Sequence, residues 1–209
     1  MAAIKNLTAS SLLKAMQAKQ YKVFEGELNL NLIGVRNSDT KANSFNDVLC
    51  VLYQQDGKWQ LVSFKCTTDA GTYYRENPCN VDGTAVLAAM QHRSLWTFGY
   101  HQGKYPALVQ HKPVTVYRDN NNDNQLDCEN NLQRGYFGIN CHRASANHES
   151  KQVDKWSAGC QVLANPNDFN KLMSLCHQSS QQWGSTFTYT LLDQIELNQT
   201  ALTPHKEGE

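Results

Sequence analysis

The hydrophobic positions of the chain change period along its length, and the changes outline its elements. Near the N-terminus Leu12, Leu13 and Met16 recur at i, i+1 and i+4 behind Thr8, Ser10 and Ser11, which suit a helix N-cap, so a helix is expected over residues 8–20. It reads either as a helix packed on the main domain or as a small targeting or regulatory extension. From Glu27 the period becomes two, with Leu28, Leu30 and Leu32 alternating with Asn29 and Asn31 as in a half-buried strand. Arg36-Asn37-Ser38-Asp39 reads as a turn. Asp47 to Tyr53 is an apolar strand, and Asp56-Gly57 joins it to the strand Trp59 to Phe64 with the strongest hairpin signal in the chain.

Trp96 to Tyr100, Ala107 to Gln110 and Pro113 to Tyr117 read as further strands, and Tyr136 to Asn140 as a buried strand leading to His142. The link from Arg143 to Lys155 is polar and reads as a mobile flap. Beyond Asn165-Pro166 the residues Phe169, Leu172, Met173 and Cys176 return to helical spacing, with Asn167 or Asp168 as the expected cap. Phe187 to Leu192 alternates as a closing strand. Many strands with a helix at each end argue for a mainly β domain with flanking helices. The expected organisation is an N-terminal helical extension over 1–26, the main domain over 27–200 and a flexible tail over 201–209.

Composition narrows the function classes. A chain of 209 residues suits one domain, or one domain with an extension, and 40% hydrophobic residues are enough for a core. With 19 basic and 19 acidic residues there is no basic stripe, which argues against a nucleic-acid partner. No apolar run approaches the roughly 18 residues of a membrane span. Met1 to Gln20 lacks the hydrophobic core and small-residue cleavage site of a secretory signal. The seven cysteines are Cys50, Cys66, Cys79, Cys128, Cys141, Cys160 and Cys176; their odd number favours reduced thiols, and none forms the C-x-x-C of a zinc ribbon. Cys50 and Cys66, in apolar strand patterns, read as core residues.

The candidate chemistry lies in Gly138-Ile139-Asn140-Cys141-His142-Arg143 and Lys155-Trp156-Ser157-Ala158-Gly159-Cys160-Gln161-Val162. A His is followed by a Cys in a small-residue turn able to expose a thiol and aim main-chain N–H groups at one spot. Acyl transfer needs those parts: a nucleophile, a base for its proton and donors for an oxyanion. With seven cysteines and seven histidines in the chain, chance proximity is the competing explanation.

The segment resembles the catalytic motif of the L,D-transpeptidase family, in which a His at a strand end precedes Ser-x-Gly-Cys and a hydrophobic strand. The matching positions are His142, Ser157, Gly159 and Cys160. Arg143 stands where the family has Gly, and Gln161-Val162 stand where it has an apolar residue and a substrate-binding Arg. The motif covers residues 136–163, with a fainter match back towards residue 60. The resemblance implies an L,D-transpeptidase-like β-sandwich or barrel and cysteine acyl chemistry on peptidoglycan stem peptides. Cys160 would be the nucleophile and His142 its base, either taking the thiol proton or forming a thiolate–imidazolium pair. Main-chain N–H groups at Gly159 and Cys160 would hold the oxyanion, Ser157 would orient the turn, and Arg143 and Trp156 would contact substrate. Asp154 is a candidate to orient His142, and His148 is a second candidate base.

The unusual motif resembles phage endolysin-like relatives. With no signal seen, it points to a monomeric hydrolase made in the cytoplasm that reaches the wall on phage lysis or from a virion. A true transpeptidase that cross-links wall peptides is the alternative, and an inactive wall-binding or virion structural protein is a third reading from a different class. The chemistry requires no cofactor. A structural calcium ion is a separate question: Asp119, Asn121, Asp123, Gln125 and Asp127 place oxygen side chains at the spacing of an EF-hand-like loop, with Asn130 in place of the usual final acid. The competing reading is an Asn-rich loop held by its own side-chain-to-backbone bonds.

Overall fold

A computed structural model describes residues 4, 7–39, 43–128, 131–195 and 197 of the protein. Its helices are α1 (Ala9–Ala18), α2 (Thr72–Glu76) and α3 (Pro166–Trp183). Its strands are β1 (Asn31–Arg36), β2 (Asp47–Gln55), β3 (Lys58–Thr67), β4 (Thr84–Leu87), β5 (Gln91–His101), β6 (Tyr105–Gln110), β7 (Val114–Asp119), β8 (Leu132–Gly135), β9 (Cys141–Arg143), β10 (Gln161–Leu163) and β11 (Thr186–Asp193). The architecture is mainly β, as the patterning implies, and takes the barrel form: β1-β11-β5-β6-β9-β10-β3-β2 close on themselves, while β4-β7-β8 form a separate sheet. Among the described residues no helix is long and apolar enough to cross a membrane. The tail over 201–209 lies outside the described residues.

The expected hairpin joins β2 to β3, and Asp56 and Gly57 both take positive φ (51° and 72°), as a two-residue turn of this hand requires. Helix α1 starts where expected. Thr8 Oγ1 accepts from the Ser11 N–H at 3.1 Å and Ser11 Oγ from the Thr8 N–H at 3.0 Å, closing a reciprocal cap. Its apolar face buries Leu12, Ala15 and Met16 against Ile33, Val35, Cys50, Leu52 and Leu192, so α1 packs directly on the barrel.

That packing corrects the half-buried strand. In β1 and β2 the residues Leu32, Leu49 and Val51 face the main core, while Ile33, Val35, Cys50 and Leu52 face α1, so both sides are covered. The strand also begins later than its period suggests. Leu28 has φ 54° and the Asn29 N–H turns back to Gly26 O, which takes residues 26–29 out of extended geometry.

Three other expectations change. Residues 136–140 form no strand, because the N–H groups of Phe137 and Ile139 both donate to the Gln110 side-chain Oε1 (3.0 Å each) instead of to a neighbouring strand. Helix α3 is capped two or three residues earlier than expected, by Asn165, whose Oδ1 accepts from the Asn167 N–H at 2.9 Å with Pro166 in the first turn. The polar link after Arg143 is anchored: Val153 is fully buried with Phe45, Ala144, Val162 and Ala164, and the Ser150 N–H donates to Ala164 O.

Barrel and small sheet meet over a buried charged cluster. From β1, Arg36 donates to Thr68 Oγ1, to Thr68 O and to Leu87 O in β4. Asp47 accepts from the N–H groups of Asn37 and Thr68 and from Thr68 Oγ1. Arg75 in α2 pairs with Asp69 at 2.6 Å and approaches Asp119 at the end of β7 at 3.6 Å, with only 1% of its side chain exposed. Removing one partner of a buried pair leaves an uncompensated charge. Arg75→Ala is therefore expected to lower stability by about 3–5 kcal/mol, measured by urea denaturation; a loss under about 1 kcal/mol would mean that the cluster is not a structural support.

Candidate active site

Strand pairing explains how the two halves of the motif meet. Parallel strands β9 and β10 are in register with Cys141 opposite Gln161 and His142 opposite Val162, so Cys160 falls beside Asn140. Side chains alternate across a sheet. Cys141 and Leu163 therefore enter the main core, while Cys160 and Val162 pack on the other side with Phe45, Val153 and Ala164. Gln161 also points inward: it is fully buried, its Oε1 accepts from the Tyr189 hydroxyl at 2.7 Å and its Nε2 donates to Thr68 O at 3.2 Å. The residue replacing the apolar motif position is thus a core hydrogen-bonding group.

The turn before Cys160 is locked through Ser157. Its hydroxyl donates to Cys160 O at 2.9 Å and accepts from the Gly159 N–H at 3.1 Å. Its carbonyl accepts from the Gly71 N–H, which ties the turn to the loop carrying Asp69. Gly159 has φ 121°, and a Cβ there would collide with Ala85 O of β4, so glycine alone suits the position. Since the Gly159 N–H is committed to Ser157, the Cys160 N–H is the member of the expected oxyanion pair with no hydrogen-bond partner among the described residues.

His142 is 1% exposed. Its Nδ1 lies 2.8 Å from Arg143 O, and a carbonyl only accepts, so the proton resides on Nδ1. Nε2 then carries the lone pair, and it is buried without a hydrogen-bond partner among the described residues. The Tyr105 hydroxyl, 3.1 Å from Nδ1 and 3.4 Å from Arg143 O, braces the same edge. Orientation thus comes from a main-chain carbonyl. Asp154 is engaged elsewhere, through Asn43, and His148 sits by Ser145 at 3.2 Å.

Two members of the site went unread in the sequence. His101, at the end of β5, stacks on His142 with ring centroids 3.9 Å apart, and Tyr105 starts β6. The β5–β6 hairpin tip delivers both. One nitrogen from each of His101 and His142 and Cys160 Sγ lie within 4.8 Å of one another. Cys160 Sγ donates to Gly138 O at 3.3 Å.

Burial sets the charge state. It pulls the His142 imidazole down to about 3, helped by His101, while the Arg143 carbonyl acts against it. It pushes the Cys160 thiol up to about 11, opposed by a main-chain hydrogen bond from Asn140. Burial thus favours a neutral thiol beside a neutral imidazole over the thiolate–imidazolium pair that the motif also allowed. Of the proposed substrate contacts, the Arg143 guanidinium lies 4.2 Å over the Tyr105 ring and Trp156 is 42% exposed.

The Asp119–Asp127 loop divides. Asp119 is turned into the core towards Arg75, and burial raises its carboxyl to about 6. Asn121 Nδ2 donates to both Asp123 and Asp127, and the Gln125 N–H donates to Asp123. The position of Asn130 lies outside the described residues. All seven cysteines are free thiols.

The neutral pair has two measurable consequences. Alkylation of Cys160 by iodoacetamide, followed by peptide mass spectrometry with exposed Cys79 as the internal reference, is expected to quicken about tenfold per pH unit from pH 7 to 10. A fast, flat profile would mean a thiolate. For stability, the unfolded chain takes up a proton on this His near its ordinary 6.5, while the native chain does so only near 3. The contribution of His142 is thus fully present above about pH 6.5 and lost as pH falls towards 3. A His142→Gln variant should lose stability less steeply over that window in pH-dependent urea melts, and parallel curves would refute the buried neutral imidazole. Comparison of the chain with protein-family models, with curated proteins and with solved structures finds no match in any of the three.

Proposed function

We propose that the protein is a cysteine peptidase of the L,D-transpeptidase type that hydrolyses peptidoglycan stem peptides through an acyl-enzyme. The observation that carries the chemistry is the buried, unpartnered Nε2 of His142 in the same cluster as the Cys160 thiol. The substrate class rests on the resemblance of the His142, Ser157, Gly159 and Cys160 pattern.

In this reading His142 Nε2 takes the thiol proton as Sγ forms a bond to the substrate carbonyl carbon. The charge that develops on the carbonyl oxygen faces the Cys160 N–H. The C–N bond breaks, the proton on His142 passes to the leaving amine and a thioester remains. Water, deprotonated by the same imidazole, then attacks the thioester, releasing a carboxylic acid and restoring the thiol. Starting from a neutral pair, the thiol proton moves during attack, so the base needs an open lone pair. Arg143, already stacked over Tyr105 at the same edge, supplies a positive charge for a substrate carboxylate.

The test is incubation of purified peptidoglycan with the protein and with Cys160→Ala, followed by mass spectrometry of soluble peptides. Fragments released by the unmodified protein alone are expected, and their masses name the bond. New peptide dimers or exchanged terminal residues would instead assign a transpeptidase. No product in either sample, or equal product in both, would overturn the reading.

A further inference from the structure

The cluster at the tip of the β5–β6 hairpin has more donors than a Cys–His pair requires. We propose that His101, His142 and Cys160 form a reversible site for a thiophilic divalent cation of the Zn2+ type, and that its occupation holds the Cys160 sulfur as a metal ligand and so blocks attack. The inhibitory role rests on the proposed cysteine chemistry; the metal site itself does not.

The donor set is two imidazoles and one thiol, ligand types that zinc takes, and three protein ligands leave a fourth position for water. Their ligand atoms lie within 4.8 Å of one another. A tetrahedral zinc with ordinary Zn–N and Zn–S bonds needs ligand atoms roughly 3.3–3.8 Å apart, so side-chain rotations closing roughly 1 Å suffice. His142 is already arranged as a ligand: its Nδ1–H donates to Arg143 O, which fixes the tautomer and leaves Nε2 as a buried lone pair without a partner. A buried polar atom left unpaired is costly, and a metal–nitrogen bond would satisfy it. On the other side, Cys160 gives up only its hydrogen bond to Gly138 O.

His101 sets the strength. Its Nδ1 now sits 3.2 Å from Asn140 Nδ2, whose amide orientation is fixed because Asn140 Oδ1 accepts from the Gln110 N–H. An amide N–H2 only donates, so coordination through either nitrogen of His101 forfeits that bond. The loss of that bond weakens coordination through His101 without preventing it. On binding, the thiol proton leaves to solvent and the metal–sulfur bond takes its place, so loading releases a proton.

The probe is Co2+ added to the whole, metal-free protein, read by its thiolate-to-cobalt charge-transfer absorption and by displacement with Zn2+. The unmodified protein is expected to show the band and to lose it to Zn2+. Cys160→Ala should abolish the band. His101→Ala should weaken Co2+ binding at least about tenfold, with His101→Gln repeating the titration in a variant that keeps a polar group there. Thermal melts establish that each variant folds. No band in the unmodified protein, or a band that persists in Cys160→Ala and so belongs to another thiol, would overturn the site. Zn2+ should also stop release of wall peptides and a chelator restore it; faster release with Zn2+ would overturn the inhibitory role. Hydrolysis without a band removes the metal site alone. A band without Cys160-dependent hydrolysis removes the proposed peptidase alone.

Discussion

Two buried arginines hold the molecule together where the barrel meets the small sheet. Arg36 reaches from β1 to main-chain oxygens of the Thr68 loop and of β4, and Arg75 joins that same loop to the end of β7. Buried charges persist only when each is paired and hydrogen-bonded, so this arrangement tolerates little movement. The loop it immobilises, residues 67–71, contacts the cysteine turn in two places. Thr68 O accepts from Gln161, and the Gly71 N–H donates to Ser157 O. Ionic bonds in the core thus help to fix the turn that carries the Cys160 thiol.

The site above that support is electrostatically quiet. Among the described residues neither Cys160 nor His142 is hydrogen-bonded to a carboxylate, and burial favours the neutral form of each. A neutral imidazole held by a carbonyl serves as a base or as a metal ligand, and the same lone pair cannot do both at once. Nε2 is the nitrogen of the ring without a partner among the described residues, so a proton and the proposed cation would compete for it.

Much of this was legible in the sequence where local chemistry decides structure. The cap at Thr8, the Asp56-Gly57 turn and the β-rich character follow from short-range rules, and the His142 and Cys160 segments were read as one site. Contacts that cross the chain were not legible. His101 and Tyr105 reach His142 because β6 pairs with β9, a fact of topology that no local pattern announces. Residues 136–140 have a strand's composition yet are claimed by the Gln110 side chain. Asp119 looked like the first ligand of a loop, but a buried arginine 44 positions earlier (119 minus 75) faces its carboxylate. The alternation of β1 was obscured because α1 covers its outer face.

The barrel closes through β1 and β11, which pair in parallel from Leu32 opposite Tyr189 to Arg36 opposite Asp193. These are distant segments, and contacts of such sequence separation form late because a long loop must be closed first. Tyr189 belongs to the last strand, and its hydroxyl is the partner that fixes Gln161 next to Cys160. On a ribosome, every residue of the Cys160 site would emerge before the strand that secures it. The neighbourhood of Cys160 would therefore take its final shape only once synthesis had passed β11, and a nascent chain lacking that strand would leave Gln161 without its Tyr189 partner.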